Sequence, residues 1–106
     1  RRRIDARAWR GKRPGSQAVL LGAAPASCEA QLWLWVLAPG ETYVAEPDPP
    51  GWHEMVYVME GTLQLELSGV ARQVAANDFV IYSSAQPYAY RNDGDTPLRF
   101  VRNVLR

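Results

Sequence analysis

The chain has 106 residues, of which 47% are apolar and 22% charged, a balance that suits one globular domain and excludes a disordered one. Its longest apolar run, Leu32 to Ala38, is far too short to span a bilayer, so no membrane partner is expected. A lone cysteine, Cys28, excludes an internal disulfide, and with no apolar signal core at the start it fits a reducing cytoplasm.

The net charge of +1 hides an asymmetry. Residues 1–13 carry seven basic groups against Asp5, a local charge of +6, while residues 14–106 carry five basic and ten acidic groups, a charge of −5. A basic arm or linker over residues 1–16 is therefore expected ahead of an acidic domain over 17–106. The arm reads either as a phosphate-contacting segment or as a solvated linker following an upstream domain. Trp9 within it suits stacking on a base, a membrane surface, or packing onto the domain. Residues 4–9 have room for one turn of helix, which Gly11, Pro14 and Gly15 would end.

From there the pattern is of short β-prone runs cut by turn residues. Strands are expected over 18–21, 30–37, 42–45, 55–59, 62–67, 70–75, 79–82, 88–91 and 98–105. Pro47-Asp48-Pro49-Pro50-Gly51 forms a stiff loop, because proline fixes φ and lacks a ladder donor. Glu60-Gly61 reads as a tight turn from which the next strand returns, Ser68-Gly69 as a second turn and Asn77-Asp78 as a third. Such a series makes an all-β sandwich or barrel, and a barrel hides the edges that a small sheet would expose.

Alternation sorts the side chains. Glu54, Val56 and Val58 share one face of their strand, with Met55, Tyr57 and Met59 on the other. Leu63, Leu65 and Leu67 share a face, as do Tyr88, Tyr90 and Asn92. His53 and Glu54, as neighbours on a strand, point to opposite faces unless a bulge re-aims one of them.

Residues 51–61, Gly-Trp-His-Glu-Met-Val-Tyr-Val-Met-Glu-Gly, place a Glu six residues before a Gly. Residues 77–92 place Asn-Asp at a turn, then Ser83, Ala85, Tyr88 and Asn92 at set intervals. Together they resemble the two motifs of the cupin superfamily, over residues 29–104. The resemblance implies a double-stranded β-helix, or jelly-roll barrel. Metal-binding cupins supply two His and a Glu from the first motif and a His from the second. Here Asp48 and Pro50 (or Pro47 and Pro49) stand at the first His positions, and Tyr88 stands at the last. Only Glu54 survives, so no metal and no other cofactor is expected, with Asp48, Glu54 and Tyr88 as the remaining oxygen donors.

The residues 54–61 and 90–95 look most like cupin domains that follow a helix-turn-helix in XRE-type bacterial transcription regulators. That likeness implies a domain sensing a small-molecule effector, a homodimer, and contact with DNA only through an upstream domain absent from this chain. The alternatives are a small cupin enzyme, an isomerase or metal-dependent dioxygenase, and a dimerisation barrel with a vestigial pocket. No nucleophile-and-base arrangement stands out, so no catalytic residue is assigned. The candidate ligand-binding residues are Glu54, Tyr88, His53, Arg102, Trp33, Trp35, Tyr90 and Asp48. Glu54 suits a polar or amine group, Arg102 an anion, and the aromatic rings a pocket wall, core or interface.

Overall fold

The computed structural model describes residues 6–24 and 27–106. Arg1, Arg2, Arg3 and Asp5, part of the expected basic arm, lie outside the described residues. The strands are β1 (Ala6–Arg10), β2 (Gln17–Ala24), β3 (Ala30–Leu37), β4 (Thr42–Ala45), β5 (His53–Glu60), β6 (Thr62–Leu67), β7 (Val70–Ala75), β8 (Phe79–Ser83), β9 (Tyr88–Arg91) and β10 (Leu98–Leu105). They form two antiparallel sheets, ordered β1-β2-β3-β10-β5-β8 and β4-β9-β6-β7. Among the described residues no helix is long and apolar enough to cross a membrane.

Nine of these strands fall where the turn residues place them. The tenth corrects the expected helical turn: within residues 4–9, positions 6–9 are extended in β1 and pair antiparallel with β2. The reason is Trp9. Half-buried, its ring lies 5.3 Å from both Trp35 and Tyr43, so packing onto the barrel decides among the readings open for it. A strand delivers that single ring to the core while Arg7 and Arg10 stay in water.

The apolar core lies between the sheets. Trp35, Leu37, Val56, Val58, Leu98 and Phe100 come from one sheet, and Leu63, Leu65, Val74, Tyr88 and Tyr90 from the other. Period-two alternation is kept along β5, where Glu54, Val56 and Val58 are buried while Tyr57 and Met59 are exposed.

Gly61 is not the hairpin turn expected from Glu60-Gly61. β5 and β6 lie in different sheets, so here the chain turns a corner rather than returning on itself. Gly61 adopts φ +82°, and a Cβ there would stand 2.7 Å from the Pro97 carbonyl oxygen and 3.0 Å from the Leu98 Cα. Ser68-Gly69 is a true two-residue hairpin turn: Leu67 pairs with Val70, and both turn residues have positive φ. Asn92, 2% exposed, pins the loops at one end. Its amide donates to the carbonyls of Leu37 and Thr96 at 2.9 and 2.8 Å.

The two glycines make a matched test. Gly69→Ala, at the same φ but with nothing within 4 Å of the added carbon, is expected to bear the left-handed penalty alone, about 1 kcal/mol. Gly61→Ala adds the collision with Pro97 and is expected to lose about 1–3 kcal/mol more. Urea unfolding of both variants measures the difference, and equal losses would remove the close approach from the account.

Candidate functional site

The barrel interior is not wholly apolar. Glu54 from β5 is 1% exposed and Arg102 from β10 is 6% exposed, in strands that are direct neighbours. Their closest nitrogen–oxygen approach is 3.8 Å. Around them stand three tyrosines on strands facing or flanking β5. Tyr88 donates its hydroxyl to Oε2 of Glu54 at 2.8 Å. Oε1 and the hydroxyls of Tyr82 and Tyr90 form a triangle with sides of 2.5, 2.6 and 2.9 Å. Two hydroxyl protons serve those three contacts, so at most two carry a proton at one time. Arg102 Nη1 in turn donates to the Tyr90 hydroxyl at 3.2 Å.

A carboxylate offers about four lone-pair positions. Glu54 therefore has almost none left for another group. Burying such an ion costs several kcal/mol unless its oxygens are satisfied, and here the hydroxyls satisfy them.

The tyrosines are fixed as neutral donors. Burial comes first among the causes and pushes the pKa of Tyr82, Tyr88 and Tyr90 well above the ordinary value, and the negative charge of Glu54 pushes each the same way. Burial alone would lower the pKa of Arg102, but Tyr90 and Glu54 outweigh it and the guanidinium is held charged.

Arg102 is also sandwiched. Its guanidinium carbon lies 4.9 Å from the ring centroids of both Trp33 and Trp35. Cation–π contacts of this kind stabilise a desolvated guanidinium by about 2 kcal/mol each. Behind Trp35 the aromatic packing continues: Phe100 stacks on it at 5.7 Å and Tyr90 meets it edge-on at 5.2 Å. Trp33, half-buried, donates its indole N–H to Gln31, which donates to Glu29, which accepts from Arg106.

Among the described residues three buried side-chain polar atoms have no partner: Nε of Arg102, Nε1 of Trp35 and, away from Glu54, Oγ of Ser84. An unmatched buried donor costs about 1–3 kcal/mol. Around Glu54 the acceptor positions are thus nearly filled, while the N–H donors of Arg102 and Trp35 stay open.

Of the residues singled out from the sequence, Glu54, Tyr88, Tyr90, Arg102, Trp33 and Trp35 come together in this one cluster. His53 does not join them. It is exposed beside Glu54, and its Nδ1 lies 3.3 Å from the Gly51 carbonyl oxygen. Asp48 is half-buried in the loop before β5, where its backbone N–H donates to Ser84; it is not among the groups bonded to Glu54. The sequence reading missed Tyr82, which contacts Glu54 directly, and Tyr43, which packs on Trp35 at 4.7 Å.

Among the described residues no three His, Cys, Asp or Glu side chains gather as metal donors. Glu54 is occupied by hydroxyls, Tyr88 fills the position of a histidine ligand, and His53 sits outside the cluster. These residues do not fit the metal held by metal-binding cupins.

Comparison with known proteins bears on the fold. The family profile described as "Cupin domain" matches residues 33–102, more than half the chain. Among solved structures, the Cupin_2 domain of an XRE family transcriptional regulator from Enterobacter cloacae is 24% identical with a TM-score of 0.72, covering 80% of this chain and 95% of that one. An HTH_3 family transcriptional regulator from Vibrio cholerae is 16% identical with a TM-score of 0.73, covering 84% of this chain; the match spans 51% of that regulator. KdgF from Halomonas sp. is 16% identical with a TM-score of 0.68, covering 92% and 86% of the two chains. No curated protein matches. At these identities the likeness establishes the architecture, the double-stranded β-helix that the motif resemblance implied.

Two outcomes follow from the cluster. Glu54→Ala leaves Arg102 buried beside no counter-charge and is expected to cost about 3–5 kcal/mol in chemical denaturation; a loss under 1 kcal/mol would mean the pair does not hold the interior together. The tyrosines give a pH signature. Their folded pKa values are raised above the ordinary 10, so the folded state holds these protons more tightly than the unfolded chain does. That stabilisation is intact below about pH 10 and is lost as pH climbs beyond it, by about 1.4 kcal/mol per pH unit for each tyrosine. The urea midpoint should be level approaching pH 10 and fall steeply above it, and triple substitution of these tyrosines by Phe should flatten the fall.

Proposed function

The chain belongs to the cupin domain family, and on that premise we propose that it is a small-molecule-sensing domain, the effector-binding part of a cytoplasmic transcription regulator. The observation that carries this reading is the charged, partly unmatched cluster of Glu54, Arg102, Tyr82, Tyr88 and Tyr90 inside the barrel. A barrel that only dimerised would be as stable, or more so, with apolar side chains there. A small enzyme would need a free base, a nucleophile or a metal centre, whereas Glu54 has almost no lone pair free and burial keeps the tyrosines protonated. Two similar structures are of transcription regulators, which supports placing this domain in a protein whose DNA-binding part lies outside this chain.

The mechanism is linkage. A ligand that binds one arrangement of a dimer more tightly than another shifts the balance between them, and with it the affinity for DNA. The dimer forms through the outer face of β5 and β8, where Tyr57 pairs with Phe79 and Met55 with Ile81. Phe79 and Ile81 are 63% and 55% exposed. An interface related by a two-fold axis brings a patch against itself, and this row carries no charge to oppose its own copy.

The first test recovers the ligand. A compound released on denaturing the protein purified from its native cells, identified by mass spectrometry, is expected to rebind about tenfold more weakly to Arg102→Lys and to Trp33→Ala, a loss of about 1.4 kcal/mol. Unchanged affinity in both variants would refute the site. For the dimer, light scattering should give twice the chain mass for the native protein and a monomer for Ile81→Lys; a native monomer removes the proposed interface.

A further inference from the structure

Resting on the sensing role proposed above, we infer that the site is built for an uncharged planar compound presenting a carbonyl oxygen, not for an amine or a carboxylate. The argument is one of valence and charge. An ammonium group would need several free carboxylate lone pairs, and Tyr82, Tyr88 and Tyr90 leave Glu54 almost none. A carboxylate would need an uncommitted cation, and Arg102 already faces Glu54 at 3.8 Å within the same buried space. That pair sums to zero, so a second anion would sit buried without a counter-charge.

What the cluster does leave open is donors. Arg102 Nε and Trp35 Nε1 are both buried and both unpartnered, on side chains stacked with 4.9 Å between guanidinium carbon and ring centroid. A carbonyl oxygen accepts without bringing net charge, so it can take up an open donor and leave the electrostatic balance of the barrel unchanged. The surroundings are aromatic: Tyr43 packs on Trp35 at 4.7 Å, and Trp33 and Tyr43 are only partly buried, a lining that suits a flat, conjugated body. Of the two indoles against Arg102, Trp33 is the one nearer the surface: it is half-buried, while Trp35 is 2% exposed. The Trp33 indole is tethered by a hydrogen bond to the side-chain amide of Gln31 at 2.9 Å.

Three probes share one ring and one size and differ only in the group under test: benzamide, benzoate and benzylammonium. The readout is the indole N–H resonance of Trp35, one of four tryptophans in the chain, assigned through its contact with Phe100. Benzamide at millimolar concentration should move this resonance downfield in a saturable way, with an apparent Kd at least about tenfold below those of the other two. Trp35→Phe and Arg102→Lys each delete one unmatched N–H while keeping an aromatic ring or the charge, and each should weaken benzamide binding by about tenfold, read for Trp35→Phe from the indole N–H of Trp33. Tighter binding of benzoate or benzylammonium would overturn the neutral-acceptor assignment while leaving a ligand site in the barrel. No movement of the Trp35 resonance with any probe would overturn the inference outright, and the sensing role would then stand or fall on the recovered ligand.

Discussion

The structure depends on one buried ion pair that is not allowed to be only an ion pair. Glu54 and Arg102 lie on adjacent strands of the larger sheet, 3.8 Å apart, in an interior where each ion alone would cost several kcal/mol to desolvate. Direct attraction at that distance does not cover the cost. Three tyrosine hydroxyls from the facing and flanking strands complete the coordination of the carboxylate, and two indole faces cover the guanidinium. The two sheets are therefore joined by oriented hydrogen bonds as well as by apolar contact. β9, in the smaller sheet, contributes two of the three hydroxyls, so sliding one sheet over the other would break the network.

This arrangement separates support from recognition. Glu54 holds the tyrosines, Tyr90 accepts from Arg102, and Arg102 with Trp35 presents what remains unsatisfied. In such a chain the carboxylate bonded to the tyrosines sets geometry, and recognition falls to the donors at its far end. The aromatic layer behind them, with Trp35 stacked on Phe100 and met edge-on by Tyr90, limits how far those donors can turn.

Much of this was legible in the sequence because polar residues marked the strand phase. In β5 a single buried-phase charge, Glu54, alternates with valines, and Tyr88 and Tyr90 fall two apart, so period two put these groups inside. Tyr82 escaped for a physical reason. Phe79-Val80-Ile81-Tyr82 is apolar at every position, so alternation gave no contrast by which to tell its faces, and the outward pair Phe79 and Ile81 is as hydrophobic as the inward one. β1 escaped because its charges and single tryptophan read as a solvated arm; the partner that makes it a strand, Trp35, is distant in sequence. At Gly61 the residue type correctly signalled positive φ, but a hairpin and a corner between sheets make the same local demand. His53 and Asp48 were drawn in by nearness to Glu54 along the chain, and strand alternation and the loop path placed them elsewhere.

Strand β1 carries a consequence for anything joined ahead of it. Its one inward ring, Trp9, touches Trp35, and Trp35 in turn touches Arg102. The chain thus enters the domain not by a slack tether but by a strand wedged two side chains from the guanidinium. Displacing Trp35 would press on that wedge, and pulling on the wedge would disturb Trp35, because the rings share one packed wall and cannot shift independently.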